Sequence, residues 1–162
     1  MVTKKKRNQN YDGAIVLGLN DALVEISGAL VGLSFALTES KLIATVGLIT
    51  GFAAALSMAA SEYLSAKEDR KRKPLKAATY TGITYLIAVI LLVTPYFLLK
   101  NVYTSATMMI VIMISIIAIY TKYDAKIRNE SFKKKFTEML FISLGVATIS
   151  FVFGLIVRNI LA

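Results

Sequence analysis

The sequence contains no cysteine, no histidine and no tryptophan, and only two prolines among its 162 residues. Without cysteine the chain forms no disulfide and no thiolate metal site, and without histidine it has no imidazole ligand and no histidine proton shuttle. Any metal or proton chemistry must therefore use carboxylates, hydroxyls, backbone carbonyls and the six methionines. Carboxylates are also scarce, because Asp and Glu together number 10 against 19 Lys and Arg.

Charged residues of both signs are few relative to apolar ones. They make up 18% of the chain, whereas 56% is hydrophobic, which is too apolar for a soluble domain of this size. Five apolar stretches are long enough for an α-helix to cross ~30 Å of hydrocarbon. We predict an all-α, multi-pass integral membrane protein, in the cell membrane if the source is prokaryotic. Its single domain, residues 1–162, has spans at about residues 13–37, 42–64, 77–99, 104–121 and 137–161.

Basic residues concentrate on one side of the predicted membrane. Sixteen of the 19 lie in three segments, residues 4–7, 67–76 and 122–135. The positive-inside rule therefore predicts that the N-terminus and the loops after the second and fourth spans face the cytoplasm. This orientation accounts for the net charge of +9, so we expect no nucleic-acid partner. The mixed-charge stretch at residues 65–77 is predicted to be a short cytoplasmic linker.

Two acids lie in the first apolar stretch, GLNDALVEISGALVGLSFAL at residues 18–37. Asp21 and Glu25 are one helical turn apart, and an acid near the middle of a membrane costs about 2.5–3.5 kcal/mol on insertion scales. Helical spacing places them on one face with three glycines, Gly18, Gly28 and Gly32. Because such glycines allow close helix approach, we predict that this face contacts protein rather than lipid. The alternative to a functional role is that each carboxyl is protonated or hydrogen-bonded to a hydroxyl of a neighbouring helix.

The second span carries a comparable face at helical spacing: Gly47, Gly51, Ala54, Met58 and Glu62. We predict that it packs against the glycine face of the first span. Met58 and Asp21 would then lie level, ~12–14 Å from the cytoplasmic boundary at the helical rise per residue. Glu25 would lie one turn deeper and Glu62 one turn shallower. Taken singly, Met58 is typical of core packing and Glu62 of a membrane interface.

Carboxylates combined with a thioether suit a divalent ion of intermediate hardness, such as Fe²⁺, Mn²⁺ or Co²⁺. The predicted metal path consists of Asp21, Glu25, Met58 and Glu62. Accessory or entrance positions are Asp12, Asn20, Thr50 and Glu138. One chain offers too few ligands for a closed site, so we expect a two-fold homodimer in which the glycine faces meet and each ligand is doubled. No permanently bound cofactor is expected.

The first two spans together resemble the first hairpin of the vacuolar iron transporter family. The resemblance rests on GLNDALVEISGALVGLSFAL and ITGFAAALSMAASEYLSAK, and it is close over about residues 11–67. Later spans match in number and hydropathy. The resemblance implies a five-helix homodimer that moves Fe²⁺, and often Mn²⁺, out of the cytosol in exchange for protons along a path near the dimer interface. It also implies that Asp21 and Met58 act on the ion.

Three features depart from the pattern of that family. Its usual Asp-Gly pair reads Asp21-Ala22 here, and the acid often found two turns before Met58 is replaced by Thr50. We hypothesise that Glu25 supplies the charge absent at Thr50. Plant-type members carry a Glu- and Met-rich cytoplasmic domain between spans two and three, where this chain has the short basic linker. The ion is therefore expected to load directly from the cytosol or from a separate protein.

Proton antiport follows if the carboxylates hold either protons or the metal ion but never both during an alternating-access cycle. A Mn²⁺ exporter or a proton-coupled carrier of another small cation would use the same acids. The alternative outside transport is a metal-binding membrane sensor or scaffold that contacts a soluble protein through its basic loops. No enzyme is expected, since the sequence shows no nucleophile-base pair, phosphate loop or cofactor motif.

Overall fold

Five long α-helices form the chain in the computed structural model, which describes residues 5–69 and 73–161, with side chains described at 11–69, 73–126 and 129–160. In chain order they are α1 (Lys5–Ala36), α2 (Ser40–Asp69), α3 (Pro74–Leu98), α4 (Val102–Arg128) and α5 (Phe132–Leu161). Each is long and apolar enough to cross a membrane, and these ranges contain no strand. The predicted all-α, multi-pass membrane architecture is confirmed.

Four helices extend well beyond the predicted apolar stretches. α1 begins at Lys5 rather than at residue 13, and α5 begins at Phe132 rather than at residue 137. α2 continues past residue 64 to Asp69, and α4 continues past residue 121 to Arg128. The expectation of a linker over residues 65–77 is therefore wrong at both of its ends, although its residues 70–72 lie outside the described ranges. Hydropathy marks the part of a helix that lipid surrounds, whereas a helix continues into water as long as its backbone hydrogen bonds are satisfied.

Three helix ends have a local cause in the sequence. Pro74 begins α3, where its missing N–H is not needed by the helix. Asn101 caps α4, because its side-chain oxygen accepts a hydrogen bond from the backbone N–H of Thr104 at 3.0 Å. Asn129 ends α4 in the left-handed conformation, with a φ of 56°, which asparagine tolerates better than most residues.

α1 lies at the centre of the bundle and contacts each of the other four helices. Its side chains Leu23, Ile26 and Leu30 are buried in the main hydrophobic core together with residues of α2, α3 and α4. α5 is the least enclosed helix, and large apolar side chains such as Phe141 and Ile149 are mostly exposed. Exposed apolar side chains of this kind are suited to a lipid environment.

Glycines allow α1 to approach α3 and α5 closely. A Cβ atom at Gly32 would lie 2.9 Å from the backbone oxygen of Ser150 on α5, which is closer than real Cβ atoms come. Gly28 also faces α5, and a Cβ at Gly18 would clash with the carbonyl of Thr81 on α3. Two helices of the same chain thus pack closely against the glycine face of α1.

The α2 glycines meet side chains rather than the glycines of α1. A Cβ at Gly47 would lie 2.7 Å from Leu30 Cδ2, and one at Gly51 would clash with Val89 of α3. The expectation that the two glycine faces pack against each other is therefore wrong. α5 packs on part of the α1 glycine face, and the expectation that these faces of two copies meet stays a prediction. What α1 leaves exposed is the edge that includes Glu25.

Buried hydroxyl groups join four helices at the end of the bundle opposite the basic loops. Ser34 Oγ lies 2.7 Å from Tyr96 Oη, which connects α1 to α3. Ser40 donates a hydrogen bond to the Tyr96 carbonyl at 2.9 Å and lies 3.0 Å from the hydroxyl of Ser105 on α4. These hydroxyls provide partners for carbonyls at the C-terminus of α3, where the helix itself supplies no donors.

The basic end is closed by smaller contacts. Ala14, Ala66 and Ala77 are buried together there, which joins α1, α2 and α3, and Tyr11 packs against them. Thr81 donates a hydrogen bond to the Ala14 carbonyl at 2.9 Å. Alanine side chains at this point let the helices come close without leaving a gap.

The α1/α5 contact predicts that Gly32→Ala destabilises the protein. Because the added methyl group has no space beside Ser150, we expect a loss of about 1–3 kcal/mol in the free energy of unfolding. Thermal unfolding in detergent, followed by circular dichroism, should show a lower midpoint. Gly145→Ala is the matched control, since nothing lies within 4 Å of its Cβ position. Equal midpoints for the two variants would contradict the close approach.

Candidate metal site

A groove of about 550 Å³ runs beside α1, between α2 and α5. Glycines and apolar side chains form most of its lining, and the polar lining residues are Glu25, Thr50 and Ser150. Glu25 is the one ionisable residue among those described in the lining. The groove therefore brings together the first-span acid and the second-span position that the sequence analysis connected to it.

The Glu25 carboxylate is exposed to the groove but is held by a residue of the core. Tyr85 of α3 donates a hydrogen bond from Oη to Glu25 Oε2 at 2.7 Å. Tyr85 is 0% exposed and lies in the main hydrophobic cluster. Within the described parts of the chain, this is the one hydrogen bond that the Glu25 carboxylate makes. One alternative to a functional role was a hydrogen bond between this acid and a hydroxyl of a neighbouring helix, and Tyr85 provides such a hydroxyl.

Asp21 lies half-buried on α1, one turn before Glu25. The two carboxylates are close enough to interact electrostatically with each other, and each also interacts electrostatically with the Tyr85 hydroxyl. Two negative charges in apolar surroundings repel each other strongly unless a cation or protons accompany them. The pair is thus suited to binding a cation.

Met58 and Glu62 lie on α2 outside the lining of the groove. Met58 is half-buried and packs against the main core. Glu62 is only 5% exposed, although acids are rarely buried to this extent without a partner. The reading of Glu62 as an ordinary interfacial acid therefore underestimates its burial.

Two of the accessory positions line a smaller pocket of about 180 Å³ between α1, α4 and α5. Asn20 and Glu138 lie there with Asp124 and Lys135, whose side chains form an ion pair. Asp12 lies half-buried on α1, two turns before Asn20. These positions are separate from the Glu25 groove.

Across the part of the chain whose side chains are described, no three acids come close enough to hold a metal ion. The predicted residues are therefore divided: Glu25 and Thr50 share one groove, and Asn20 and Glu138 share another pocket. Sequence reasoning missed Tyr85. Its one signal was a tyrosine in the middle of a span, because aromatic residues with polar tips usually lie at the membrane surfaces.

A comparison with known families finds a match over most of the chain. The family model described as the VIT family matches residues 13–73 and 67–155. The match covers well over half of the chain and includes the helices after residue 67, where the resemblance noted from sequence was weaker. A search of curated proteins finds no match. The chain therefore belongs to the VIT family, the vacuolar iron transporter family.

Proposed function

We propose that this protein exports a divalent metal ion, Fe²⁺ or Mn²⁺, from the cytosol in exchange for protons. Membership of the VIT family indicates transport of metal ions across a membrane. The observation that carries the proposal for this chain is that Glu25 and Thr50 line one groove. Position 50 is where similar proteins often carry an acid, so Glu25 provides a carboxylate to the same space from the opposite helix.

The ligand chemistry supports an ion of intermediate hardness. Carboxylates and a thioether favour Fe²⁺ or Mn²⁺ over harder ions such as Mg²⁺. Glu62, Met58 and Asp21 form the part of the proposed path between the basic end of the bundle and the groove. Glu25 forms the deeper part, one helical turn beyond Asp21.

A second copy of the chain completes the proposed site. In a single copy Glu25 is exposed near the middle of a membrane-length helix, where lipid contact costs about 2.5–3.5 kcal/mol for an acid. A copy seated on the groove covers this carboxylate and brings a second set of the same ligands across a two-fold axis. The dimer contact therefore uses the carboxylate edge of α1 and the groove, whose lining includes Gly28 and Gly32.

Competition for the carboxylates supports antiport. Asp21 and Glu25 interact electrostatically, so the pair is favoured with either a metal ion or protons bound. If the two kinds of cation exclude each other while the site alternates between the two sides, protons moving inward drive the metal ion outward. The basic loops face the cytosol in this proposal, as the positive-inside rule predicts.

Metal flux into proteoliposomes tests the proposal. We expect an imposed pH gradient to accelerate Fe²⁺ and Mn²⁺ flux, and Asp21→Asn and Glu25→Gln each to reduce it by about tenfold or more, because each removes a charged ligand. Glu39→Gln is the control, since Glu39 lies exposed in the connection between α1 and α2. Metal binding without flux in the wild type would favour the sensor or scaffold, and flux indifferent to the gradient would contradict antiport.

Moving the carboxylate from position 25 to position 50 provides a sharper test. Thr50→Glu is expected to restore much of the flux lost in Glu25→Gln, because both side chains line the same groove. Thr45→Glu is the matched control: it lies on the same helix and is also exposed, but it is not in the lining. Rescue by both substitutions, or by neither, would contradict the assignment of the charge to this groove.

The proposed dimer is testable by cross-linking, which the natural absence of cysteine makes straightforward. Ala29→Cys lies exposed on α1 in the groove lining, so we expect two copies in a membrane to form a disulfide or to react with a short bis-maleimide. Ile119→Cys on α4 is 72% exposed but lies away from the groove, and it should remain monomeric on a gel. Equal cross-linking of both variants, or cross-linking of Ile119→Cys alone, would contradict this interface.

A further inference from the structure

Tyr85 lies outside the predicted path and directly contacts one of its acids, Glu25. We propose that Tyr85 is a positioning residue, which holds the Glu25 carboxylate in the orientation that binds the transported ion. This role rests on the proposed function, since it concerns the same groove. It gives α3 a part in metal recognition, although this helix supplies none of the predicted ligands.

The two partners differ sharply in their surroundings. Tyr85 is 0% exposed, so its ring is fixed by the core on all sides. Glu25 is exposed, and its long side chain would otherwise rotate freely in the groove. The 2.7 Å hydrogen bond from the buried Tyr85 hydroxyl therefore holds the Glu25 carboxylate in one orientation within the groove.

The hydrogen bond also leaves room for an ion. It engages Oε2, and in the described structure no hydrogen bond engages Oε1. A phenol that donates to one carboxylate oxygen leaves the other oxygen available as a ligand. Ligating carboxylates are commonly oriented in this way by a hydrogen-bonded neighbour, and loss of such a neighbour typically lowers metal affinity by about 10–100-fold.

Packing alone does not require the hydroxyl of Tyr85. Phenylalanine would fill the same space in the core, whereas a buried phenol needs a hydrogen-bond partner. The partner here is a charged group that opens onto the groove, and Asp21 lies within electrostatic reach of the same hydroxyl. The hydroxyl is thus explained by the acids of the path and not by the filling of the core.

A second tyrosine of the same helix provides the matched control. Tyr96 is also 0% exposed, and its hydroxyl lies 2.7 Å from the Ser34 hydroxyl. Burial and hydrogen-bond length are therefore the same as for Tyr85, but the partner is neutral and lies outside the groove lining. A substitution that acts only by removing a buried hydrogen bond should affect the two positions alike.

The test is Mn²⁺ flux into proteoliposomes at a series of Mn²⁺ concentrations for the wild type, Tyr85→Phe and Tyr96→Phe. We expect Tyr85→Phe to raise KM by about 10–100-fold with the maximal rate within about twofold of the wild type. Tyr96→Phe should leave KM unchanged. Calorimetric titration of the detergent-solubilised protein with Mn²⁺ measures binding apart from transport, and it should show the same loss of Mn²⁺ affinity in Tyr85→Phe.

A double-mutant cycle isolates the contact. In the Glu25→Gln background, Tyr85→Phe should cause no further rise in KM, because the carboxylate that Tyr85 orients is already absent. Glu25→Asp, whose shorter side chain withdraws the carboxylate from the Tyr85 hydroxyl, is expected to reproduce the KM increase and serves if Tyr85→Phe fails to fold.

Three results would overturn the positioning role while leaving transport intact. They are an unchanged KM in Tyr85→Phe, an equal rise in Tyr96→Phe, and an undiminished effect of Tyr85→Phe in the Glu25→Gln background. A wild type that neither binds nor transports Mn²⁺ or Fe²⁺ would instead reject the proposed function, and the positioning role with it.

Discussion

The close approach of α1 to α3 and α5 is the contact on which the other features of the bundle depend. Because Gly18 has no side chain, α3 lies near enough to α1 for Tyr85 to reach Glu25 two turns farther along. Because Gly32 has none, α5 lies near enough to place Ser150 in the wall of the groove. Helix packing in a membrane relies on such close contact, since there is little hydrophobic drive between helices in lipid. The position of the carboxylate thus follows from the absence of two side chains.

Five helices could be predicted from the sequence because lipid requires each crossing segment to be a long apolar helix. The helix ends at Asp69 and Arg128 could not, since charged residues in water are compatible with both helix and loop. The prediction that the α1 glycines pack against the glycine face of α2 was also wrong. The small residues that meet Gly32 are Ser150 and Gly154, which lie four residues apart on α5. This spacing favours close helix packing, but the prediction considered only the first two spans.

The candidate site was predictable to the extent that its groups are conspicuous in an apolar sequence. Asp21 and Glu25 are costly in a membrane helix, so they attract attention wherever they lie. Tyr85 carries no such cost, and its hydrogen bond joins residues 60 positions apart, which no local pattern encodes. The link between Glu25 and Thr50 came from departure from a family pattern, and only the structure shows that both line one groove.

The alanine contact at the basic end has a consequence for how the bundle is assembled. Ala66 near the end of α2 and Ala77 near the start of α3 are buried together against Ala14 of α1. The two helices are therefore in contact with each other and with the central helix on both sides of the connection between Asp69 and Pro74. Because this contact is made by α1, α2 and α3 themselves, an additional domain inserted in the connection would leave it in place. The same membrane core is thus suited to carrying a soluble attachment or to working without one.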